Sequence, residues 1–535
     1  MPKQVYNVIG KSITHLFSDY LCSYSASQPT CKALVVGERS YTYQQLAGEV
    51  ALCAKALINA GVKQGEKVAI LCTTRAEYWI TFLATTSIGA IWLGVNPKYK
   101  LPEIRYVLED AKPKLLFAMA SFEQYDYSPS IAAIQRDYDF IEHVVSITSP
   151  LPNTQSFTDF MTKGESVSDQ QLLDRQNAVG KMDPALLVYT SGSTGKPKGA
   201  LLSHYGLCFG AEVQAQHYAV DNPVMLCNFP INHVACVADT CCVNLVAGGT
   251  LVLQERFDVE QVLHALRHND LNGILMVPTM LLMLLEHPDF KESDLAKLEL
   301  LAWGGAPLPV PIIERLQKIV PRLMNVYGMT ETAANTTYTD RNADLIQLSE
   351  TIGRPSPHMP CRIMNEQGIA CEVGQEGELQ FKGEYLLLEY LNRPDASREV
   401  YTADGWLHTG DLGYWREDGT ITLVGRVSDM FKSGGYNVYP REIENHLESH
   451  PAIEMAAVVA VPDARFQEVG AAFVVPAKQP DMIEVAAIRD YCSAHLANYK
   501  IPKTITLITE LPVLPVGKVD KVALKQQAMA EPLSR

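Results

Sequence analysis

No uninterrupted apolar run in this chain reaches the length of a membrane-spanning helix, which takes about 20 predominantly apolar residues. The nearest candidates are 80–95, broken by Thr85-Thr86-Ser87, and 236–253, which carries Asp239, Asn244 and Gly248-Gly249. Both read as buried helix or helix–turn–strand. The opening "MPKQVYNVIGKSITHLF" lacks the continuous apolar core of a signal peptide. Cysteine pairs at metal-binding spacing are also missing. The twelve cysteines are scattered, and the nearest approach to a motif is Cys236, Cys241 and Cys242. A chain with so ample a core needs no disulfide framework, so the thiols read as reduced groups of a cytoplasmic protein. Excess positive charge is missing too. Forty-five Lys and Arg against 60 Asp and Glu leave a net charge of -15, which argues against nucleic acid or an anionic membrane as the main partner. There is no internal repeat and no low-complexity tract.

What is present is a core-forming chain of 535 residues, 47% hydrophobic, long enough for more than one domain. Helical patterns alternate with short β-rich runs. Residues 41–61 carry apolar residues at helical spacing and stop at Gly61; the strand-like "KVAILC" follows, then "YWITFLATTSIGAIWLGV", expected as an apolar helix. "KPKLLFA", "HVVSI", "GTLVLQ", "GILMVP" and "LELLAWGG" are further strand candidates. The alternation predicts α/β layers with substantially parallel sheet. After about Pro355 the texture changes to "GELQFKG" and "GYWREDGTITLVGR", whose Asp-Gly punctuation predicts antiparallel hairpins. From Tyr439 on, a helix–strand set predicts a small α+β domain.

The densest chemistry lies in "LVYTSGSTGKPKGALLSH", Leu187–His204. Glycines accept the dihedrals that let successive N–H groups turn towards an anion. Ser191, Ser193 and Thr194 add hydroxyls, and Lys196 or Lys198 adds charge. The loop fails the Walker pattern, because Pro197 follows Gly195-Lys196 where Ser or Thr is required.

"YTSGSTGKPKG" resembles the phosphate-loop signature of the adenylate-forming superfamily: acyl-CoA synthetases, amino-acid adenylation domains and beetle luciferases. "GERSYTYQQL" near the start, and "AWGGAPLP", "NVYGMTET", "GELQFKG", "WLHTGDLGYW", "GRVSDMFKSGGYNVYPREIE", "NYKIPK" and "LPVLPVGKVDK" after the loop, appear in the family's order, so the likeness spans nearly the whole chain. It implies a large N-terminal domain (1–427) of layered α/β subdomains plus a β-rich subdomain, and a small mobile C-terminal domain (428–535). The substrates implied are a carboxylic acid, ATP with Mg²⁺, and coenzyme A, with no nucleic acid and no integral membrane segment; a homodimer is compatible.

Residue by residue, the resemblance assigns Thr190, Ser191, Gly192, Ser193, Thr194, Gly195 and Lys198 to the phosphates. Gly304, Gly305, Ala306 and Pro307 wall the adenine and acyl sites, and Tyr327 with Gly328 offers the adenine a flat face. Thr330 donates to the α-phosphate, and Glu331 supplies the carboxylate that Mg²⁺ accepts alongside its waters. A helix N-cap is the rival reading of that turn. Asp411 suits both ribose hydroxyls and Arg426 ribose or phosphate, although such a pair is more often a structural salt bridge. Lys518 is implied as the main catalytic cation of the first step, set between the substrate carboxylate and the α-phosphate. Gly434 and Gly435 would line the pantetheine channel of CoA once the C-terminal domain rotates. The hinge falls on Ser428, where the family usually has Asp or Lys; Glu389 replaces a common Gly and puts a local turn in doubt.

The acyl pocket implied by the family positions comprises His233, Val234, Trp303, Gly304, Met329, Ala333 and Ala334. Val234 stands where amino-acid adenylating domains carry an Asp, which argues against an amino acid. The pocket reads as mainly apolar, with room for a medium or long acyl chain or a bulky ring acid. His233 is either a gate beside the carboxylate or a packed histidine. Loading of a carrier-protein phosphopantetheine, luciferase-like oxidation and a catalytically dead ATP-binding regulator are the alternatives. Intact Thr330, Glu331, Asp411, Arg426 and Lys518 oppose the last.

Overall fold

The helix predicted over 41–61 forms as Tyr43–Asn59, and its ends show why. Thr42 accepts the Gln45 N–H while the Gln45 side chain accepts the Thr42 N–H, and Gly61 leaves the last turn at a φ of +75°. Both devices serve backbone groups that a helix leaves unpaired at its ends. The computed structural model describes residues 6–8, 11–190, 197–433, 436–463, 465–477, 483–513 and 519–530.

Among these residues the chain builds two large, mostly parallel sheets. The first orders Gln155–Ser156, His143–Ser146, Leu115–Ala118, Lys67–Leu71, Ile91–Val95, Pro184–Thr190, Lys198–Ser203 and Glu389–Tyr390. Its first six strands run parallel, and Lys198–Ser203 pairs antiparallel with both Pro184–Thr190 and Glu389–Tyr390. The second orders Arg354–Pro355, Asn335–Tyr338, Leu323–Gly328, Leu300–Gly304, Gly273–Met276, Val224–Cys227, Thr250–Leu253, Lys32–Val36 and Arg39–Thr42, antiparallel only towards its two edges. The texture change after Pro355 is a four-stranded antiparallel sheet of Cys361–Met364, Gly377–Phe381, Leu407–Trp415 and Ile421–Arg426. A last sheet takes Tyr436–Val438, Phe431–Ser433, Gln467–Pro476 and Ile453–Asp463, with Thr504–Leu507 beside Gln467–Pro476. The protein is thus mixed α/β, as expected.

Residues 78–95 take the helix–turn–strand reading in place of one apolar helix. The helix is Ala76–Ser87; Gly89 turns the chain at a φ of +73°, and Ile91–Val95 becomes an inner strand of the first sheet. An apolar run buried on all sides has no period to separate helix from strand. Residues 234–253 divide similarly, with one addition. Between the helical turns Val234–Cys236 and Val243–Val246 lies a π-helical turn, Val237–Cys242, before the strand Thr250–Leu253.

The apolar interior is divided as well. The clusters around Trp79 and Trp92, around Leu301 and around Ile421 draw on residues up to Leu423, whereas those around Val458 and Phe473 draw on Phe431 onward. Among the described residues, no helix is long and apolar enough to cross a membrane.

Candidate active site

Tyr327, near the end of Leu323–Gly328, donates its hydroxyl to Oδ2 of Asp411 at 2.6 Å. Asp411 lies in Leu407–Trp415, in register with Arg426 of the neighbouring strand, whose Nε stands 2.7 Å from Oδ1. Asp411 is 4% exposed, and half of the Arg426 side chain remains open. Burial and then the adjacent carboxylate push the Tyr327 phenol up, and Asp411 raises the Arg426 guanidinium in turn. Each carboxylate oxygen has one partner here and room for a second. The predicted nucleoside residues therefore meet, and the salt bridge holds the carboxylate without exhausting it.

Beyond Gly328 the chain makes a single 3-10 turn, Thr330–Thr332, with Met329 rather than Thr330 as its N-cap. Gly328 permits this tight fold-back: a Cβ there would lie 2.5 Å from the carbonyl oxygen of Ala334. Thr330 and Glu331 are buried. Glu331 Oε1 accepts the Tyr390 hydroxyl at 2.7 Å, and the Glu331 carbonyl accepts the Leu387 N–H. Lys198 Nζ lies over the Tyr390 ring, 5.2 Å from its centre. Tyr390 thus links the turn to a stem of the phosphate loop, a role not read from the sequence. The signal available was its place beside Glu389. Glu389 itself sits exposed in an edge strand paired with Leu201, so the doubted turn is a strand.

The phosphate loop closes an antiparallel pair in which Thr190 faces Lys198, the Thr190 hydroxyl reaching the Lys198 carbonyl at 3.5 Å. Ser191, Gly192, Ser193, Thr194, Gly195 and Lys196 lie outside the described residues, as do Gly434, Gly435 and Lys518. Gly304 ends its strand in register with Val326, and Gly305 turns the chain at a φ of +83° into Ala306-Pro307. A Cβ on Gly304 would meet the Val326 carbonyl oxygen at 2.8 Å. Its missing side chain serves the sheet.

The expected acyl residues divide. Val234, Ala333 and Ala334 are buried in one apolar cluster, with Met329 packed against it. Trp303 is fully buried in a separate cluster with Leu301. Successive strand residues face opposite sides of a sheet, so Trp303 turns from the face that Ala302 and Gly304 share. That corrects its assignment to the pocket. His233 caps the turn Val234–Cys236, its Nδ1 accepting the Ala235 N–H at 3.1 Å, which favours the packed role. Ser428 is exposed just beyond Ile421–Arg426, its hydroxyl 3.1 Å from Asp429.

The cysteine reading also changes. Cys227 Sγ lies 3.6 Å from Cys236 Sγ, and Cys241 completes a buried trio within 4.8 Å; Cys242 is not of it. None of the twelve cysteines is in a disulfide.

Comparison with known proteins places these observations. The family model described as AMP-binding enzyme matches residues 23–391, and that of the AMP-binding enzyme C-terminal domain matches 442–518. The chain is 32% identical to a feruloyl-CoA synthase of Amycolatopsis sp. over 93% of its length and 96% of the other. It is 30% identical to the mitochondrial medium-chain acyl-CoA ligase of Homo sapiens, covering 93% and 85%. Among solved structures, ATP-bound MatB from Rhodopseudomonas palustris superposes with a TM-score of 0.84 at 26% identity, covering 95% of this chain and 98% of that one.

Proposed function

The chain belongs to the AMP-binding enzyme family as an acyl-CoA ligase, and on that premise we propose that its substrate is a hydrophobic carboxylic acid. The observation that carries this reading is that the expected acyl positions Val234, Ala333 and Ala334 are all buried and apolar, the last two following directly on the Thr330–Thr332 turn. A feruloyl-CoA synthase and a medium-chain acyl-CoA ligase among the relatives fit it. The free thiols fit a reducing compartment, the cytoplasm.

In the first step a carboxylate oxygen attacks the α-phosphorus of ATP, forming an acyl-adenylate and expelling pyrophosphate. Two anions must meet, so positive charge at the crowded centre lowers the barrier most. Lys518 supplies it, Thr330 donates to the α-phosphate, and the loop from Thr190 to Lys198 cradles the β- and γ-phosphates. Asp411 and Arg426 hold the ribose. In the second step the CoA thiolate attacks the acyl carbon, forming the thioester and expelling AMP. The C-terminal domain (428–535) turns about Ser428 between the steps, withdrawing Lys518 and presenting Gly434 and Gly435 to the pantetheine arm.

Glu331 suits one Mg²⁺. Its Oε1 is fixed by Tyr390, and Oε2 has no protein partner among the described residues. Magnesium takes one or two carboxylates together with phosphate oxygens, and when bound it would neutralise part of the phosphate charge.

Pyrophosphate release measured over a panel of acids, with and without CoA, tests the reading. Hydrophobic acids should support turnover, and CoA should convert single release into cycling. Turnover only with a holo-carrier protein would favour the carrier-loading alternative.

A further inference from the structure

Cys227 ends the strand Val224–Cys227, Cys236 ends the helical turn Val234–Cys236, and Cys241 lies in the π-helical turn Val237–Cys242. All three are fully buried. Their sulfurs lie within 4.8 Å of one another, and Cys227 Sγ is 3.6 Å from Cys236 Sγ. A core cysteine is ordinarily a small hydrophobe. Here three sulfurs face each other, and the backbone is wound unusually to bring two of them together. Regular α-helix stacks residues three and four apart, whereas residues 236 and 241 are five apart and share a side. Such π-helical turns are rare and sit frequently at functional sites.

The spacing suits one ion. Sulfurs bound about 2.3 Å from a common metal stand about 4 Å apart when they surround it in a triangle. That separation falls between the closest pair of the trio and its widest reach. The ion needs no cavity beyond the gap that the sulfurs already enclose. Thiolates are soft ligands and select Cu(I), Zn²⁺ or iron–sulfur clusters over hard cations. Structural zinc sites are closed by four protein ligands, and iron–sulfur clusters also take four. Among the described residues no fourth His, Cys, Asp or Glu joins the three. Cu(I) is satisfied by three. The Tyr78 hydroxyl, 3.4 Å from Cys236 Sγ, is placed to donate to that sulfur once it is a thiolate, the support that ligands of a metal site commonly receive.

We propose that Cys227, Cys236 and Cys241 form a binding site for a single Cu(I) ion. Cu–S bonds replace the S–H···S contacts, the thiols that ionise release their protons to solvent, and copper stays monovalent throughout. With one sulfur kept as a thiol, the site carries one net negative charge, which the Tyr78 hydroxyl helps to hold. The ion ties the end of an inner strand to the turn that carries Val234. The proposal does not rest on the ligase reading.

A competition titration tests it. Reduced protein under anaerobic conditions, with the exposed Cys22 and Cys31 replaced by Ser, should be titrated with Cu(I) against the chromophoric chelator bicinchoninate. The sulfurs are closed off from solvent, so uptake waits on local opening of the turn and readings are taken at equilibrium. The protein should hold a single copper per chain. X-ray absorption at the copper edge should show three sulfur neighbours and no nitrogen or oxygen, a result that requires no substitution within the trio. Cys236→Ser and Cys241→Ser should each weaken binding by about a hundredfold or more, at least the scale of losing a residue that merely supports a ligand. Cys371→Ser, outside the trio, should leave binding unchanged. No retained copper, equal retention after either trio substitution in protein that still unfolds cooperatively, or a copper shell with fewer than three sulfurs would overturn the proposal. Displacement of bound Cu(I) by an equal concentration of Zn²⁺ would overturn the choice of ion.

Discussion

Tyr390 and Glu331 are joined by a hydrogen bond of 2.7 Å between the phenol and Oε1, across 59 residues of sequence. The bond aims a buried carboxylate from an edge strand that also carries the ring under Lys198. Tyr390→Phe keeps the ring and removes the donor. Losing one bond to a charged group costs about 1.5–3 kcal/mol, so adenylation should slow by roughly tenfold or more, most visibly at limiting magnesium. Glu331→Gln should act more strongly and also raise the magnesium requirement. Magnesium titrations of pyrophosphate release on both variants decide the matter; an unchanged titration for Tyr390→Phe would remove it as a positioning residue.

The half-reactions should separate. Lys518→Ala should cut acyl-adenylate formation by about a hundredfold or more, the scale of losing one preorganised charge. Supplied with synthetic acyl-adenylate and CoA, the same variant should form thioester at a near-normal rate. Gly435→Leu should show the opposite, with normal first-turnover pyrophosphate release and slow thioester formation. Single-turnover assays of each step would show equal slowing of both by Lys518→Ala if the rotating-domain assignment were wrong.

Gly304 should report on stability rather than on acyl length. Its Cβ position lies 2.8 Å from the Val326 carbonyl oxygen, so Gly304→Ala forces two parallel strands apart. Overpacking of this kind costs about 1–3 kcal/mol. Thermal unfolding should show a lower Tm with the order of preferred acids unchanged. A shifted chain-length profile at unchanged Tm would return Gly304 to the pocket wall.

His204 should make the fold acid-sensitive. It is fully buried; burial, and secondarily His15, lower it to about 3, with Asp183 opposing them. Its Nε2 has no partner among the described residues. A histidine depressed when folded takes up its proton on unfolding, so its stabilising effect is complete above the unfolded pKa of about 6.5 and is lost as pH falls towards 3. The loss approaches about 1.4 kcal/mol per pH unit below that value. His204→Gln should therefore narrow the stability gap between pH 7 and pH 5 by roughly 2 kcal/mol, whatever its fixed cost at pH 7. Denaturant titrations at both pH values, with parallel pH dependence for the two proteins, would show that His204 is not the group responsible.

Local pattern made much of this fold legible. The helix after Thr42, the strand Lys67–Leu71 and the hairpin Leu407–Trp415 with Ile421–Arg426 follow from capping, β-branched runs and Asp-Gly turns. Tyr327, Asp411 and Arg426 were legible only through motif resemblance, because residues 84 and 15 positions apart meet through sheet packing. Trp303 was misplaced for a related reason: which face of a central strand meets the ligand depends on what covers each side. Cys227 escaped notice because Val224–Cys227 is brought beside Cys236 by the tertiary fold, while Tyr390 reaches Glu331 through pairing with Lys198–Ser203.

The π-helical turn Val237–Cys242 has a consequence for how the packing around it can change. In regular α-helix, side chains five apart point about 140° away from each other. Here Cys236 and Cys241 meet on one side. The turn is wound one residue wide, and that surplus sets the phase of everything after it. Deleting a single residue from 237–242 would restore the regular winding and rotate the following side chains by about 100° against the preceding ones. Cys236 and Cys241 would part without one substitution. Packing at this turn is therefore indexed by a gap as much as by side-chain identity, and two chains aligned with one residue of slippage here carry the same residues on different sides of the helix.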